Sequence, residues 1–444
     1  MVKKVAIVGA GASGLLLAHY LLRRGDRYQV DIYDRLSDPR IIEFSNARTF
    51  PITLTERGMN ALGQIAGLET AIRAIGLEMS GTIFHQQNGK TRVKSRKKPL
   101  VALDRTNLVT TLLDELTQKY DSSRLNLHFE RACTAVDFAA KTITFENTAL
   151  TSAPTATDLT VGYDLLIGAD GARSVVRSYF LNTELFEFEQ KYVSTDYKSI
   201  ILPRPFAART EGNRSLDFNL EPGKIHSWQS DDGTFVVLLL HQPDGSMSGV
   251  ILFSRQNHEV ANLSTPEQVQ QFFHNRFPEV GQMLPESEAE RFLARSSSRI
   301  LTIRCNRYHH GESVLIIGDA AHSVSPSIGQ GCNAALEDVA ILDELLDEYA
   351  DNWAEAIAQF TLRRQADAHA LVELGDYSFP SSSQLFIEFV LREQLAKTLH
   401  QLFPERFPPS LSELVFESSV PYSEILHFYQ GWISKVKRRA QKSQ

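Results

Sequence analysis

The sequence predicts an α/β fold in which a doubly wound, discontinuous domain is interrupted by an antiparallel β-sheet and completed by a helical C-terminal region. Three features point to it: an N-terminal β-branched run that breaks into closely spaced glycines, two later apolar runs that stop at Asp–Gly or Gly–Asp turns, and a stretch of short strand-like runs between those two. The 444 residues, 43% hydrophobic and 22% charged, supply core for two or three domains. Lys and Arg number 46 against 53 Asp and Glu, and a net charge of −7 argues against a general nucleic-acid or anionic-membrane binder. Cys133, Cys305 and Cys332 lie far apart without CxxC or zinc-ligand spacing, so no disulfide framework or metal is expected, and a reducing, cytoplasmic setting is. No apolar run is long enough for a spanning helix, and the start lacks a secretory cleavage pattern.

The first element is the strand KVAIV at 4–8, which feeds directly into Gly9, Gly11 and Gly14. The helix-like run LLLAHYLLRRG follows, and the next apolar stretch, YQVDIYD, ends in Asp34. This is a dinucleotide-binding fingerprint in its proper context: Gly9 for the tight turn, Gly11 for close approach to a pyrophosphate, Gly14 for helix-on-strand packing. Ala12 and Ser13 lie in the same turn, and Arg35 follows Asp34. Phosphates would sit at the helix N-terminus, and Asp34 would accept hydrogen bonds from an adenosine ribose, which favours FAD or NAD over NADP there.

The second element is YDLLIGADGARSVVR at 163–177, where a strand breaks at Gly168 into Asp170–Gly171. The third begins SVLIIGDAAHSVSPSIGQGCNAALED at 313: the strand stops at Gly318–Asp319, a loop runs through Pro326 to Gly329, Gln330 and Gly331, and a helix starts near Asn333. Residues 187–254 read as strands, including VSTDYKSIILP, SLDFNL and KIHSWQ, with a hairpin turn at Pro243–Asp244–Gly245. PEQVQQFFHNRF is helical, and from about 334 onward apolar residues recur at three- and four-residue spacing.

With these three segments the chain resembles the single-component FAD-dependent aromatic hydroxylases, which share the para-hydroxybenzoate hydroxylase fold. The resemblance implies a discontinuous, Rossmann-like FAD-binding domain of the GR2 type over 1–75, 100–180 and 295–345. It further implies a β-rich substrate domain over 76–99 and 181–294, and a helical cap over 346–444. It implies that Asp34 binds the adenosine ribose, Asp170 with Gly171 touches the pyrophosphate side and the visiting nicotinamide cofactor, and Asp319 after Gly318 holds the ribityl chain. Arg105 falls near the FAD phosphates and Arg48 beside the flavin. Gly329, Gly331, Cys332 and Asn333 fall at the helix start facing the ring, where backbone N–H groups stabilise the charge of reduced flavin. NADPH or NADH would visit as electron donor, O2 would be cosubstrate, and a C4a-hydroperoxide would hydroxylate a small aromatic substrate. Pro326, Gln330 and Tyr422 are the residues expected at the reacting centre. His226, Trp228, Leu238, Leu240 and Ile251 from the sheet, with Tyr377 and Phe379 from the helices, are expected to wall the pocket. His322 is expected to be structural. A flavin oxidase or reductase, or a non-catalytic FAD-binding partner protein, is the alternative; the WxWxIP of flavin halogenases is absent.

Within that family TLTERGMNAL (53–62), DRTNL (104–108), DGARSVVRS (170–178), GDAAHSVSP and GQGCNAALED look like kynurenine 3-monooxygenases. The resemblance places a carboxylate-binding arginine where Ser80 stands, a tyrosine near KTRVKSRKK, and an asparagine where Ser378 stands. A free carboxylate needs a charged partner in a dry pocket, so a substrate other than kynurenine is expected. The run Lys90–Lys98, six basic residues in nine, is expected to be a solvated hairpin; an NADPH phosphate, an anionic substrate or an acidic carrier domain is the alternative ligand. Ile425, Phe428, Trp432, Ile433 and Val436 are expected to pack as one helix face rather than lie on a membrane.

Overall fold

A computed structural model describes residues 2–41, 51–86, 89–148, 158–204, 220–379 and 383–441. Strand Lys3–Val8 sits inside a six-stranded sheet, paired in parallel with Tyr28–Tyr33 on one side and Leu165–Gly168 on the other. Val314–Ile316 extends the sheet beyond Leu165–Gly168, and Leu125–His128 extends it beyond Tyr28–Tyr33. Val8 is in register with Tyr33 and Gly168, and Gly168 with Ile316. The turns after these strands therefore emerge at one sheet edge, the carboxyl-end crevice where open α/β sheets bind ligands.

Helix Ala12–Leu22 is apolar on all sides and buried from Ser13 to Leu22, which its position between helices Arg105–Lys119 and Gly331–Glu348 requires. A further three-stranded antiparallel sheet, Arg131–Asp137, Thr142–Asn147 and Leu159–Gly162, had no counterpart in the sequence reading.

The second large sheet has eight strands in the order 298–305, 188–202, 247–254, 235–241, 225–229, 77–85, 91–104, 51–54. The expected hairpin forms at Gly245, whose φ of +84° suits glycine. The expected strand SLDFNL lies almost wholly outside the described residues. One face packs Ile200, Phe235, Val237, Leu239, Ile251 and Phe253 against helices Pro266–Arg276, Pro278–Met283 and Glu286–Ala294. The opposite face carries a smaller cluster of Met79, Leu100, Ala102 and Leu240. The C-terminal region is helical: Trp353–Tyr377, Ser383–Leu402, Leu411–Glu417 and Tyr422–Gln441. Ile425, Trp432, Ile433 and Val436 are buried as expected; Phe428 is the exception and is exposed. Among the described residues no helix is long and apolar enough to cross a membrane.

Candidate active site

The glycine turn is built by close approach. Gly9 has φ +109°, and a Cβ there would lie 2.3 Å from the Ala169 carbonyl oxygen. A Cβ on Gly14 would meet the Gly9 oxygen at 2.2 Å, whereas one on Gly11 meets nothing within 4 Å. Gly11 caps the helix without a side-chain hydrogen bond, so the first-turn N–H groups are left to another acceptor. Asp34 accepts from the Ala10 N–H at 2.8 Å and the Leu36 N–H at 2.8 Å, which fixes its carboxylate beside the turn. Arg35, next along, is exposed.

Asp170 accepts from the Val175 N–H at 2.7 Å, while its Oδ1 is buried without a hydrogen-bond partner. Burial pushes this carboxyl up, against the Ser174 hydroxyl and the backbone N–H groups. Gly171 completes the turn at φ +81°. Gly318, at φ +58°, sets Asp319 at the start of the short helix Asp319–His322. Asp319 is accessible yet deeply set: desolvation pushes its carboxyl up, Arg105 and His322 oppose, and Asp338 reinforces. Arg105 opens its helix beside this group and also acts on Cys332, whose thiol burial pushes up to about 12. Arg48 lies outside the described residues.

Pro326 is exposed and starts a turn that Gly329 ends at φ +60°, its N–H donating to the Pro326 carbonyl at 2.9 Å. A Cβ on Gly329 would lie 3.3 Å from Thr53 Oγ1, so this turn meets the eight-stranded sheet. Gly331 begins the helix, and Gln330 caps it without a side-chain bond. Asn333 has its side chain fully committed: Oδ1 accepts from Thr55 N–H at 2.8 Å, and Nδ2 donates to Thr53 O and Gly329 O at 2.9 and 3.1 Å. It ties the turn to strand Pro51–Leu54.

Gln330 is buried; its Oε1 accepts from the Tyr422 hydroxyl at 3.0 Å, and its Nε2 has no partner. Tyr422, expected at the reacting centre, is itself fully buried with the Arg57 guanidinium 4.1 Å over its ring. It reaches the turn through Gln330. His322 is structural in the geometry, its Nε2 2.6 Å from Asp338 Oδ2, which also accepts from the Gly318 N–H at 2.9 Å.

The wall residues do not gather in one place. Ile251 and Trp228 belong to the helix-covered core; Trp228 donates to Glu279 at 2.6 Å, and His226 lies on the same face, 2.9 Å from His85. Leu240, with half-buried Leu238 two residues away, is on the opposite face, the one that reaches Thr53 and the Gly329 turn. Alternation cannot choose between two faces that are both covered. Tyr377 lines a shallow cleft of about 200 Å³ with Lys191, Arg304, Asp376 and Lys437, and Phe379 packs on Phe389.

The residues fit a flavin dinucleotide: an uncapped helix start over an open glycine, two recessed carboxyls, and a second uncapped helix start beside an orphaned amide. Comparison with known proteins agrees. An FAD binding domain family model matches residues 3–374. A kynurenine 3-monooxygenase of Phaeosphaeria nodorum is 31% identical over 439 residues, 96% of this chain and 88% of that one. That of Drosophila willistoni is 30% identical, covering 96% and 89%. The chain belongs to the FAD-dependent aromatic hydroxylases, in the kynurenine 3-monooxygenase-like group. The solved structure of tetrameric 2-methyl-3-hydroxypyridine-5-carboxylic acid oxygenase shares the fold, with TM-score 0.67 and 17% identity over 85% of this chain and 91% of that one.

This hydroxylase holds its turns in place with a buried charge network that sequence reasoning missed. Arg364, 1% exposed, donates to Asp338 Oδ1 at 2.8 Å and lies 3.0 Å from Glu337. Glu337 pairs with Arg57, which donates onward to the Val420 carbonyl at 2.7 Å. Burial pushes the Asp338 carboxyl up, but the His322 and Arg364 charges win and hold it below the usual range. The signal was available: Arg57 and Asp338 sit inside stretches that look shared with the hydroxylases, and both are charges amid apolar helix faces. Ser80 of this hydroxylase has its hydroxyl engaged by Lys224 Nζ at 2.9 Å and the Gly223 carbonyl at 3.3 Å.

Proposed function

We propose that this hydroxylase is an NAD(P)H-consuming FAD monooxygenase that hydroxylates a small aromatic substrate other than kynurenine. The observation that carries it is the convergence of Gly9–Gly14, Asp34, Asp170, Asp319 and the Gly329–Gly331 turn on one sheet edge, beside the face of the eight-stranded sheet that carries Leu240. Bound FAD, reduced by the nicotinamide donor, supplies the activation of O2 for oxygen transfer. The chain's own residues bind, orient and keep dry. Helix start 12–14 and Asp34 take the adenosine half, Asp170 the pyrophosphate side, and Asp319 with Arg105 the ribityl and phosphate region. Backbone N–H groups at 331–333 stabilise negative charge at the ring edge. Gln330 and Tyr422 position the turn that Pro326 opens; Tyr422 has no surface on which to touch substrate. Leu238 and Leu240 are the sheet residues placed to wall the pocket. The three segments 1–75, 100–180 and 295–345 act as the flavin domain, 76–99 with 181–294 as the substrate domain, and 346–444 as the cap. The absence of an arginine at Ser80 supports a substrate other than kynurenine. The test is anaerobic reduction of the protein-bound flavin by NADPH or NADH, followed by oxygen and an aromatic panel. The expected product is one oxygen atom heavier. Hydrogen peroxide with no oxygenated product from any substrate that accelerates NAD(P)H oxidation contradicts the proposal and indicates an oxidase.

A further inference from the structure

Helix Ser383–Leu402 is apolar without being covered. Ten of its 20 residues are Leu, Ile, Val, Phe or Ala, yet among its described residues only Phe389 and Glu393 are buried. Its inner side rests on the two helices that follow it. Phe389 packs on Trp432 with ring centroids 5.9 Å apart, Glu388 pairs with Lys435 at 2.6 Å, and Glu393 accepts from the Ser412 N–H at 3.3 Å. Its outer side carries Ile387, Leu391, Leu395 and Leu402, which are 62%, 64%, 58% and 65% exposed. At about 100° per residue these four fall within roughly 80° of the helix circumference, opposite Phe389 and Glu393. A helix that is apolar all round is one that is covered all round, because a helix of this length draws its stability from packing.

Spacing, charge and area fit a second copy of the same helix. Leu391, Leu395, Thr398 and Leu402 stand four, three and four residues apart, the alternation with which paired helices interlock their side chains. The seam carries no charge of its own: the exposed polar residues beside it are Gln394, Thr398 and Gln401, and the charges that border it, Glu388 and Arg392, are paired with each other at 2.9 Å. The same neutral surface therefore meets itself without like-charge repulsion, as an isologous two-fold contact requires. The four aliphatic side chains leave on the order of 400 Å² of apolar surface bare, about half of the roughly 800 Å² a side that a standard interface buries. Phe386, 48% exposed, and the three polar residues extend it. A helix made for a membrane surface sets its apolar face against a polar face rich in Lys and Arg. Here the side away from the seam is the packed one, holding Phe389 and Glu393.

We propose that helix Ser383–Leu402 is the dimer contact of this hydroxylase, its outward face paired across a two-fold axis with the same face of a second copy. None of the partners that hold its inner side is among the residues assigned to FAD; Trp432, its aromatic support, donates to the Ser378 carbonyl at 3.2 Å. Dimerisation and flavin loading are therefore read separately.

The experiment measures the mass of the FAD-loaded full chain by light scattering and sedimentation velocity over a wide concentration range. It compares wild type, Leu391→Glu, Leu395→Glu and Thr398→Glu with Leu362→Glu, a control on a leucine 69% exposed in helix Trp353–Tyr377. Wild type should form a particle of twice 49.8 kDa. Each seam variant should weaken the dimer at least about thirtyfold, as the loss of a central interface residue does, and Leu362→Glu should leave it intact. Flavin absorbance and circular dichroism report the fold of each variant. Thr398 is exposed and polar in the single chain, so Thr398→Glu decides where a leucine variant loses its fold. The proposal is overturned by a wild type that stays monomeric at every concentration, by a dimer that keeps its affinity in the folded seam variants, or by one that Leu362→Glu disrupts equally. A monomeric wild type that co-sediments with vesicles of phosphatidylcholine and phosphatidylserine, and loses them in Leu391→Glu, assigns the face to a membrane surface and overturns it as well.

Discussion

Gly9 and Asp319 were legible in the sequence because each does its work within a few residues of its own strand end, where glycine spacing and a terminal Asp leave a mark. Asp338, Arg57 and Arg364 were not, because their meaning lies in partners from other helices. Gly9→Ala places a methyl against the Ala169 carbonyl in a left-handed backbone. It should cost at least about 1–3 kcal/mol and release FAD; unchanged thermal stability and flavin content would contradict the turn's geometry. Asp319→Ala should weaken FAD binding roughly tenfold or more by equilibrium titration, and unchanged affinity would defeat the ribityl assignment. Arg364→Met leaves buried Asp338 with only the His322 ring and the Gly318 N–H among its hydrogen-bond partners in the described residues, and should destabilise the protein by about 3–5 kcal/mol in urea denaturation. A loss below about 1 kcal/mol would show that the network does not hold the turn.

Strands and helices were legible as elements, since the apolar runs and the Pro–Asp–Gly hairpin declare them, but the facing of the eight-stranded sheet was not. His226 and Trp228 illustrate why: they alternate correctly, yet with both faces covered their side points to helix Pro278–Met283, not to the cofactor edge. There His226 lies 2.9 Å from His85, and His85 Nδ1 lies 3.2 Å from Glu279. Burial depresses His226 from 6.5 to about 4; burial also lowers His241, and His85 and Trp228 hold Glu279 low. The folded state keeps His226 neutral while the unfolded chain protonates it, so its contribution is complete above about pH 6.5 and is lost as pH falls toward 4, and the lowered His241 acts with the same sign. The Glu279 contribution, lost on protonation, has the same sign. Between pH 7 and 5 His226 alone should account for roughly 1–2 kcal/mol of lost stability. Urea midpoints at the two pH values should show that loss in wild type and a smaller one in His226→Gln; equal slopes would contradict it.

At the scale of the whole molecule, what sequence conveyed was that three distant segments serve one purpose; what it could not convey was how two sheets meet. The contact is made by Thr53 and Asn333, residues with no motif of their own, which bind the Gly329 turn to the edge strand of the second sheet. Through them the edge that carries the motif turns meets the second sheet, on the face that holds Met79, Leu100, Ala102 and Leu240. Everything proposed for chemistry depends on the crevice holding FAD. The direct measurement is the flavin content of the purified chain, by absorbance before and after acid release, with added FAD titrated into any colourless fraction. One tightly but non-covalently held FAD per chain, bleached by NADPH or NADH without oxygen, is the predicted result. A colourless protein that takes up no added FAD would contradict it.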